Sequence, residues 1–258
     1  MTRMRNLFRT WIILILVVIP VVRIYAQSKL TVAVAANMQY ASEELKAAFE
    51  KTSNIKIDII IGSSGKLTQQ IISGAPFDVF ISADTSFPQK LMETGMAAEP
   101  PKIYAQGLLV LWTVKKGIQP AANLQLLLSN NIVSIAIANP ATAPYGSAAE
   151  NLLKKYGLFD KVKNKLVFGE SITQTSQFIS SQSADIGFTA KAIVLAKEMS
   201  GKGQWVDLNK KDYPPIYQSA VLLAYGKKTH PAEAKKFYDF LFSATAKSIF
   251  KKFGYLIK

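Results

Sequence analysis

IKIDIIIGSSGKLTQQIISGAPFDVFISA, residues 55–83, is the stretch from which the fold is read. A β-branched run, Ile55 to Ile61, passes through Gly62-Ser63-Ser64-Gly65 into a helix-period segment, Lys66 to Ser73, which Gly74 closes; a second apolar run, Val79 to Ala83, follows. The isoleucines of the first run, broken only by Lys56 and Asp58, predict a strand covered on both faces. Upstream, Leu30 to Ala35 reads as a strand, and Met38 to Lys51 as a helix whose Ala41, Leu45 and Phe49 recur every four residues. The order is βαβαβ, which implies a parallel sheet with right-handed crossovers.

The alternation then starts again. Strands are expected at Leu108 to Val114, Ile132 to Ala138, Leu166 to Phe168 and Ile186 to Thr189, with helices at Leu124 to Leu128, Ser147 to Tyr156, Ile172 to Ser181 and Ala192 to Met199. Ile216 to Ala224 reads as a strand, and Pro231 to Ser243 and Thr245 to Phe253 as terminal helices; Pro231 suits a first-turn position. Two α/β halves follow, each a mostly parallel sheet flanked by helices. No low-complexity linker separates them, which favours strands that cross from one half to the other, with a cleft at the crossing.

The chain of 258 residues is long enough for one large or two small domains, and with 49% hydrophobic residues it can bury a substantial core. Residues 1–26 are set apart: Arg3, Arg5 and Arg9 precede an apolar run from Trp11 to Val22, the layout of a secretory signal peptide, with cleavage expected after Ala26. The run is shorter than the roughly 20 residues that span a bilayer. This segment holds four arginines and no acid, so the mature chain carries 27 Lys+Arg against 17 Asp+Glu, a net charge of +10. The lysines are scattered with no aromatic-rich stripe, which reads as a solvated surface and not as a nucleic-acid partner. There is no cysteine, so disulfides, thiolate nucleophiles, Cys-ligated metals and a lipoprotein anchor are excluded.

In an open α/β sheet, ligands bind beyond the carboxyl ends of the strands, where helix N-termini converge. Four strand-to-helix turns have that position: Ala35-Ala36-Asn37, Gly62 to Gly65, Asn139 to Gly146, and Gly169-Glu170-Ser171-Ile172. All are rich in small or polar residues and none contains Lys or Arg. Asn37 and Ser64 are good N-caps, and capping explains either one alone; four such turns together point to an anion held by neutral N–H and O–H donors. If roughly seven bonds contribute about 1.5 kcal/mol each, the gross of about 10 kcal/mol covers micromolar binding after association costs.

Other chemistries fit less well. A Walker-type loop needs G-x-x-x-x-G-K-[ST], and Gly62 to Lys66 is too short, with Leu67 where Ser or Thr belongs. A serine nucleophile needs a base, and the one histidine, His230, sits before a proline at a helix start, a capping or surface position. Asp78 and Asp84 bracket the third strand and read as turn or cap residues. No His/Asp/Glu cluster has metal-ligand spacing. The reading is of a binding protein, not an enzyme.

These residues resemble, in order and over essentially the whole mature chain, the periplasmic molybdate-binding proteins of ABC importers. Leu30 to Asn37 is similar to the family's opening strand, and Gly62 to Ile71 with Gly74 to Asp84 is its most specific signature. Asn139-Pro140, Pro144-Tyr145-Gly146, Gly169-Glu170, Ala184 to Phe188 and Phe253-Gly254-Tyr255 agree as well. The resemblance implies a type II solute-binding fold of two lobes, residues 27–107 with 218–258 and residues 108–217, closing on a tetrahedral oxyanion. It implies that Asn37 gives its side chain and amide, Ser64 its hydroxyl, and Tyr145 and Ile172 their backbone N–H, with Ala36 and Ser63 as secondary candidates; Gly62 and Gly65 would let backbone approach the anion. Where the family often places a tyrosine hydroxyl, this chain has Ala190, for which Tyr145 or Asn37 would compensate. The implied ligand is molybdate, with tungstate, and molybdenum would enter only as the oxyanion, with no cofactor. The implied partner is an ABC permease in the inner membrane, the implied place the periplasm, and the implied state a monomer. A same-fold protein for sulfate or another small anion is the alternative. An organic acid would call for an arginine clamp that the turns lack; a hydrolase lacks its base; and a regulator's ligand domain fits neither the export signal nor the absence of a DNA-binding helix pair.

Overall fold

The computed structural model describes residues 29–257; the expected export segment lies outside them. In chain order the first elements are β1 (Lys29–Ala35), α1 (Gln39–Ser53), β2 (Lys56–Gly62), α2 (Ser64–Ile72), β3 (Val79–Ile81), α3 (Ser86–Glu93) and β4 (Lys102–Gly107). Next come β5 (Leu109–Thr113), β6 (Ile135–Ala138), α4 (Pro144–Lys155), α5 (Phe159–Val162), β7 (Leu166–Gly169), α6 (Ile172–Ser180), β8 (Ile186–Ala190), α7 (Lys191–Val194) and β9 (Gln204–Asp207). The chain ends with β10 (Ile216–Leu222), α8 (Ala224–Thr229), α9 (Pro231–Phe240) and α10 (Ala244–Lys252).

The strands form two five-stranded sheets, in the orders β2-β1-β3-β10-β4 and β7-β6-β8-β5-β9. In the first, β2, β1 and β3 run parallel, while β10 is antiparallel to β3 and β4. The second repeats the plan: β7, β6 and β8 are parallel, and β5 runs antiparallel to β8 and β9. The chain therefore leaves the first sheet after β4, builds the second, and returns through β10.

Periodicity explains most of this. In α1 the residues Ala41, Leu45 and Phe49 are buried, as their spacing requires, and Asn54 closes the helix with a positive φ of 58°. α9, α10 and α1 share one apolar core with β1 and β3, in which Phe49 meets the rings of Phe237 and Phe240. A second core lies under β5, β6 and β8 and takes in Ala35, Ala36 and Ala83 from the first sheet. Apolar packing is thus continuous across the junction of the halves.

Four expectations are corrected. β2 is an edge strand bonded only to β1, and Ile60 and Ile61 are partly solvent-exposed, so its isoleucine run is not covered on both faces. Leu124 to Leu128 is a single 3-10 turn, Gln125–Leu128, entered through Leu124 at φ 60°. Ala192 to Met199 divides into α7 and a second 3-10 turn, Lys197–Met199. Asp78 is buried and not a surface turn residue: one carboxylate oxygen accepts from Thr31 N–H at 2.7 Å and the other lies 2.8 Å from His230 Nδ1. His230 thereby ties the start of α9 to the first sheet. Asp84 does cap, accepting from Phe87 N–H in the first turn of α3.

Candidate functional site

All four turns singled out from the sequence lie at the carboxyl ends of parallel strands: β1 and β2 in one sheet, β6 and β7 in the other. β2 runs through Gly62 into α2. Ser63, not Ser64, caps this helix: its Oγ accepts from Lys66 N–H at 3.4 Å, and its carbonyl accepts from Leu67 N–H. Ser64 is the first helical residue, and its Oγ accepts from Ala83 N–H at 3.1 Å across the end of β3. A hydroxyl engaged as an acceptor in this way keeps its own proton to donate. Asn37 is not a cap either. It sits in a 3-10 turn, Ala36–Met38, and α1 starts after Met38 with no side-chain cap.

On the opposite wall, Tyr145 is the second residue of α4, after Pro144, and Ile172 is the first residue of α6, which Ser171 caps through Gln174 N–H. Ser64, Tyr145 and Ile172 therefore occupy first turns, where the helix ladder provides no acceptor for N–H and the helix end is partly positive. These turns border a small, tight cavity lined by Ala35, Ala36, Asn37, Ser63, Ser64 and Ala83 from one half and by Ala143, Pro144, Tyr145 and Ile172 from the other. All six residues named from the sequence are in that lining, and no charged side chain is. Ala190 is buried at the end of β8 and is not part of the lining.

Several contacts draw the halves together around the cavity. Gly65 N–H donates to Thr142 O at 2.9 Å, Thr173 Oγ1 donates to Ala36 O at 3.2 Å and to Gln39 Oε1 at 2.8 Å, and Lys66 Nζ lies 2.6 Å from a carboxylate oxygen of exposed Glu170. A methyl group at position 65 would come within 3.0 Å of both Thr142 Cα and the Phe87 ring. A side chain at Gly65 would press on the other half, and one at Gly62 on the Leu67 side chain.

The Tyr145 side chain turns away from the cavity into a buried polar network at the strand crossing. Gln218 Nε2 donates to Tyr145 Oη at 2.8 Å. Gln218 Oε1 accepts from Tyr104 Oη at 2.7 Å and from Asn37 Nδ2 at 3.0 Å, and Asn37 Nδ2 also donates to Tyr255 Oη at 2.8 Å. Tyr255 in turn donates to Asn37 O at 3.1 Å. Gly107 makes room for this, since a Cβ there would fall 2.0 Å from Tyr145 Oη. Burial pushes the hydroxyls of Tyr104, Tyr145 and Tyr255 well above the ordinary phenol range. In this network the Tyr145 hydroxyl accepts from Gln218. Sequence reasoning missed Gln218 and Tyr104; the signal available was a Gln-Ser pair, Gln218-Ser219, inside a strand whose other residues are apolar or aromatic.

The model of the bacterial extracellular solute-binding proteins matches residues 30–256. Molybdate-binding protein ModA of Rhodobacter capsulatus is 38% identical over 234 residues, covering 90% of this chain and 89% of that protein. The structure of the Azotobacter vinelandii periplasmic molybdate-binding protein superposes with a TM-score of 0.83 at 34% identity, over 89% of this chain and 99% of the other. The sulfate-binding protein SubI of Mycobacterium tuberculosis shares the fold with a TM-score of 0.75 at 14% identity, over 88% and 86% of the two chains.

Proposed function

The chain belongs to the bacterial extracellular solute-binding proteins, and from that premise we propose that the cavity between its halves is the seat of a tetrahedral oxyanion. The protein is a solute-binding protein for molybdate that serves an ABC importer, and it is not an enzyme. Tungstate, of the same charge and shape, is taken as a second ligand. The donors are the Ser64 hydroxyl, the Asn37 side-chain amide and the backbone N–H groups of Ser64, Tyr145 and Ile172, with Ala36 and Ser63 completing the wall. Residues 27–107 with 218–258 are taken as one lobe and residues 108–217 as the other; among the described residues the two sheets support a division of this kind, with the return to the first sheet beginning at Ile216, two residues before that boundary. The protein works as a monomer in the periplasm and presents its closed, loaded form to the permease.

The observation that carries this reading is that four turns without Lys or Arg, from two sheets, converge on one small cavity whose wall holds no charged side chain. Neutral donors suit a carrier that must bind an anion and later release it, because no buried counter-charge has to be left unpaired on release. With no charge in the wall, selection among dianions falls to size: donors spaced for a larger oxyanion leave sulfate underfilled. Titration calorimetry of the chain lacking residues 1–26 with molybdate, tungstate, sulfate and phosphate tests this. Micromolar or tighter molybdate and tungstate binding is expected; tight sulfate binding with no molybdate heat overturns the specificity.

A further inference from the structure

Asn37 is 2% exposed and lines the cavity, yet its amide is turned so that Nδ2 serves the hinge network, while Oδ1 is buried with no hydrogen-bond partner. An orphaned buried acceptor is costly, and an acceptor at the wall of an anion site has the wrong polarity. The network allows a second arrangement that moves no heavy-atom position. If the Asn37 and Gln218 amides both exchange their ends, Gln218 Nε2 takes the place of Oε1. It then donates to Asn37 Oδ1 across the same 3.0 Å and to Tyr104 Oη across the same 2.7 Å, while Tyr104 donates to Ser82 O at 3.2 Å. Gln218 Oε1 accepts from Tyr145 Oη across 2.8 Å, and Tyr255 Oη can donate to Asn37 Oδ1 across 2.8 Å. Every polar atom of the two amides on the network side then has a partner, and Asn37 Nδ2 takes the place of the orphaned Oδ1 with its hydrogens free for an oxyanion. Asn37 cannot make this change alone, because its Oδ1 would then face Gln218 Oε1, acceptor against acceptor.

We propose that Gln218 is a positioning residue for the oxyanion site: its amide sets which end of Asn37 faces the ligand, and the two amides exchange ends together when the anion binds. This rests on the oxyanion reading of the cavity. It also gives the hinge a reason to be polar. Gln218 and Asn37 belong to the first sheet and its turn, Tyr145 to the second half, so the hydrogen-bond order at the crossing is tied to occupancy of the site.

Three arms of one experiment test it. In the first, side-chain amide NMR of the 15N-labelled wild type is followed during molybdate addition, with resonances assigned through Gln218→Met and Asn37→Asp. The Gln218 Nε2 and Asn37 Nδ2 signals should shift together on binding. In the second, Gln218→Glu places two acceptors at position 218 when ionised, which pins Asn37 Nδ2 inward; at pH 8 molybdate affinity should fall about tenfold or more, the loss of one charge-assisted bond. When protonated, the glutamic acid again has one donor end and one acceptor end. Affinity of this variant should therefore recover as pH falls from 8 to 6, since burial raises a carboxyl pKa, while the wild type stays level. The titratable groups facing position 218 are the hydroxyls of Tyr104, Tyr145 and Tyr255, with Asp84 beyond Tyr104, and none of these phenols ionises in that range. In the third, Gln218→Met, apolar and of similar length, should lose affinity with no recovery at lower pH. A Gln218 signal that stays in place while wild type binds molybdate overturns the proposal whether or not the variants fold. So does a Gln218→Glu protein with wild-type affinity at pH 8. If wild type binds no oxyanion, the oxyanion reading itself falls.

Discussion

Removing the Ser64 hydroxyl separates binding from stability in one substitution. In Ser64→Ala the helix start and its N–H groups remain, but two bonds are lost: the one the hydroxyl accepts from Ala83 N–H at 3.1 Å, and the one its proton gives the anion. A hydrogen bond to a charged partner contributes about 1.5–3 kcal/mol, so the dissociation constant for molybdate should rise roughly 10- to 150-fold. The Ala83 bond exists with or without ligand. Its loss leaves a buried N–H unpaired at a cost of about 1–3 kcal/mol. At about 2–4 °C per kcal/mol for a chain of this size, the ligand-free melting temperature should fall by roughly 2–12 °C. Calorimetric titration reads the first number and a ligand-free thermal melt the second. An affinity within twofold of wild type would remove Ser64 from the site. A fall in affinity with an unchanged melt would show that the Ala83 contact contributes nothing and that the hydroxyl serves the ligand alone.

Other substitutions are expected to act on one quantity at a time. Gly65→Ala puts a methyl group 3.0 Å from both Thr142 Cα and the Phe87 ring; it should lower molybdate affinity about tenfold by holding the halves apart, read by calorimetric titration. Glu170→Gln breaks an ion pair exposed on both sides, so affinity should change by less than about fivefold, and by less still in high salt. Burial alone would raise the Asp185 carboxyl, but the Lys115 ammonium at 2.6 Å and the N–H groups of Val133 and Ser134 overcome this and hold it below the usual carboxylate range. A depressed carboxylate stabilises the fold above its unfolded pKa of about 4, and that stabilisation is lost as pH falls through the folded value. Acid unfolding of wild type should therefore be steeper below about pH 4 than that of Asp185→Asn; equal slopes would exclude Asp185 as a contributor.

How much was legible follows from the range of the interactions. The βαβαβ start could be read because α1 and α2 repeat their apolar residues at helical spacing and β1 and β3 are short apolar runs, all local signals. β4 was missed because Lys102–Gly107 is half polar and merges with β5 across Gly107-Leu108, where the chain changes sheets without a loop to mark the change. α3, β9 and α8 were also left unread; α3 carries Pro88 in its first turn, and β9 is a four-residue edge strand with no buried residue. Six of the ten wall residues of the cavity could be found because each sits at a strand-to-helix turn, a position the fold reserves for ligands. Their local roles were harder to see. Capping by Ser63 instead of Ser64 depends on where α2 begins, and boundaries are the weakest part of a pattern reading. The hinge network was beyond reach, since Gln218 meets Tyr145, Tyr104 and Asn37 across 73, 114 and 181 positions of sequence.

The central claim is that an oxyanion sits among the first turns of α2, α4 and α6 beside Asn37. A crystal structure of the molybdate complex with anomalous data at the molybdenum edge tests it most directly. The account predicts a single strong anomalous peak in the cavity, with oxygens within hydrogen-bond distance of Ser64 Oγ and of the N–H groups of Ser64, Tyr145 and Ile172. A peak elsewhere on the chain, or a loaded crystal with this cavity empty of molybdenum, would contradict it.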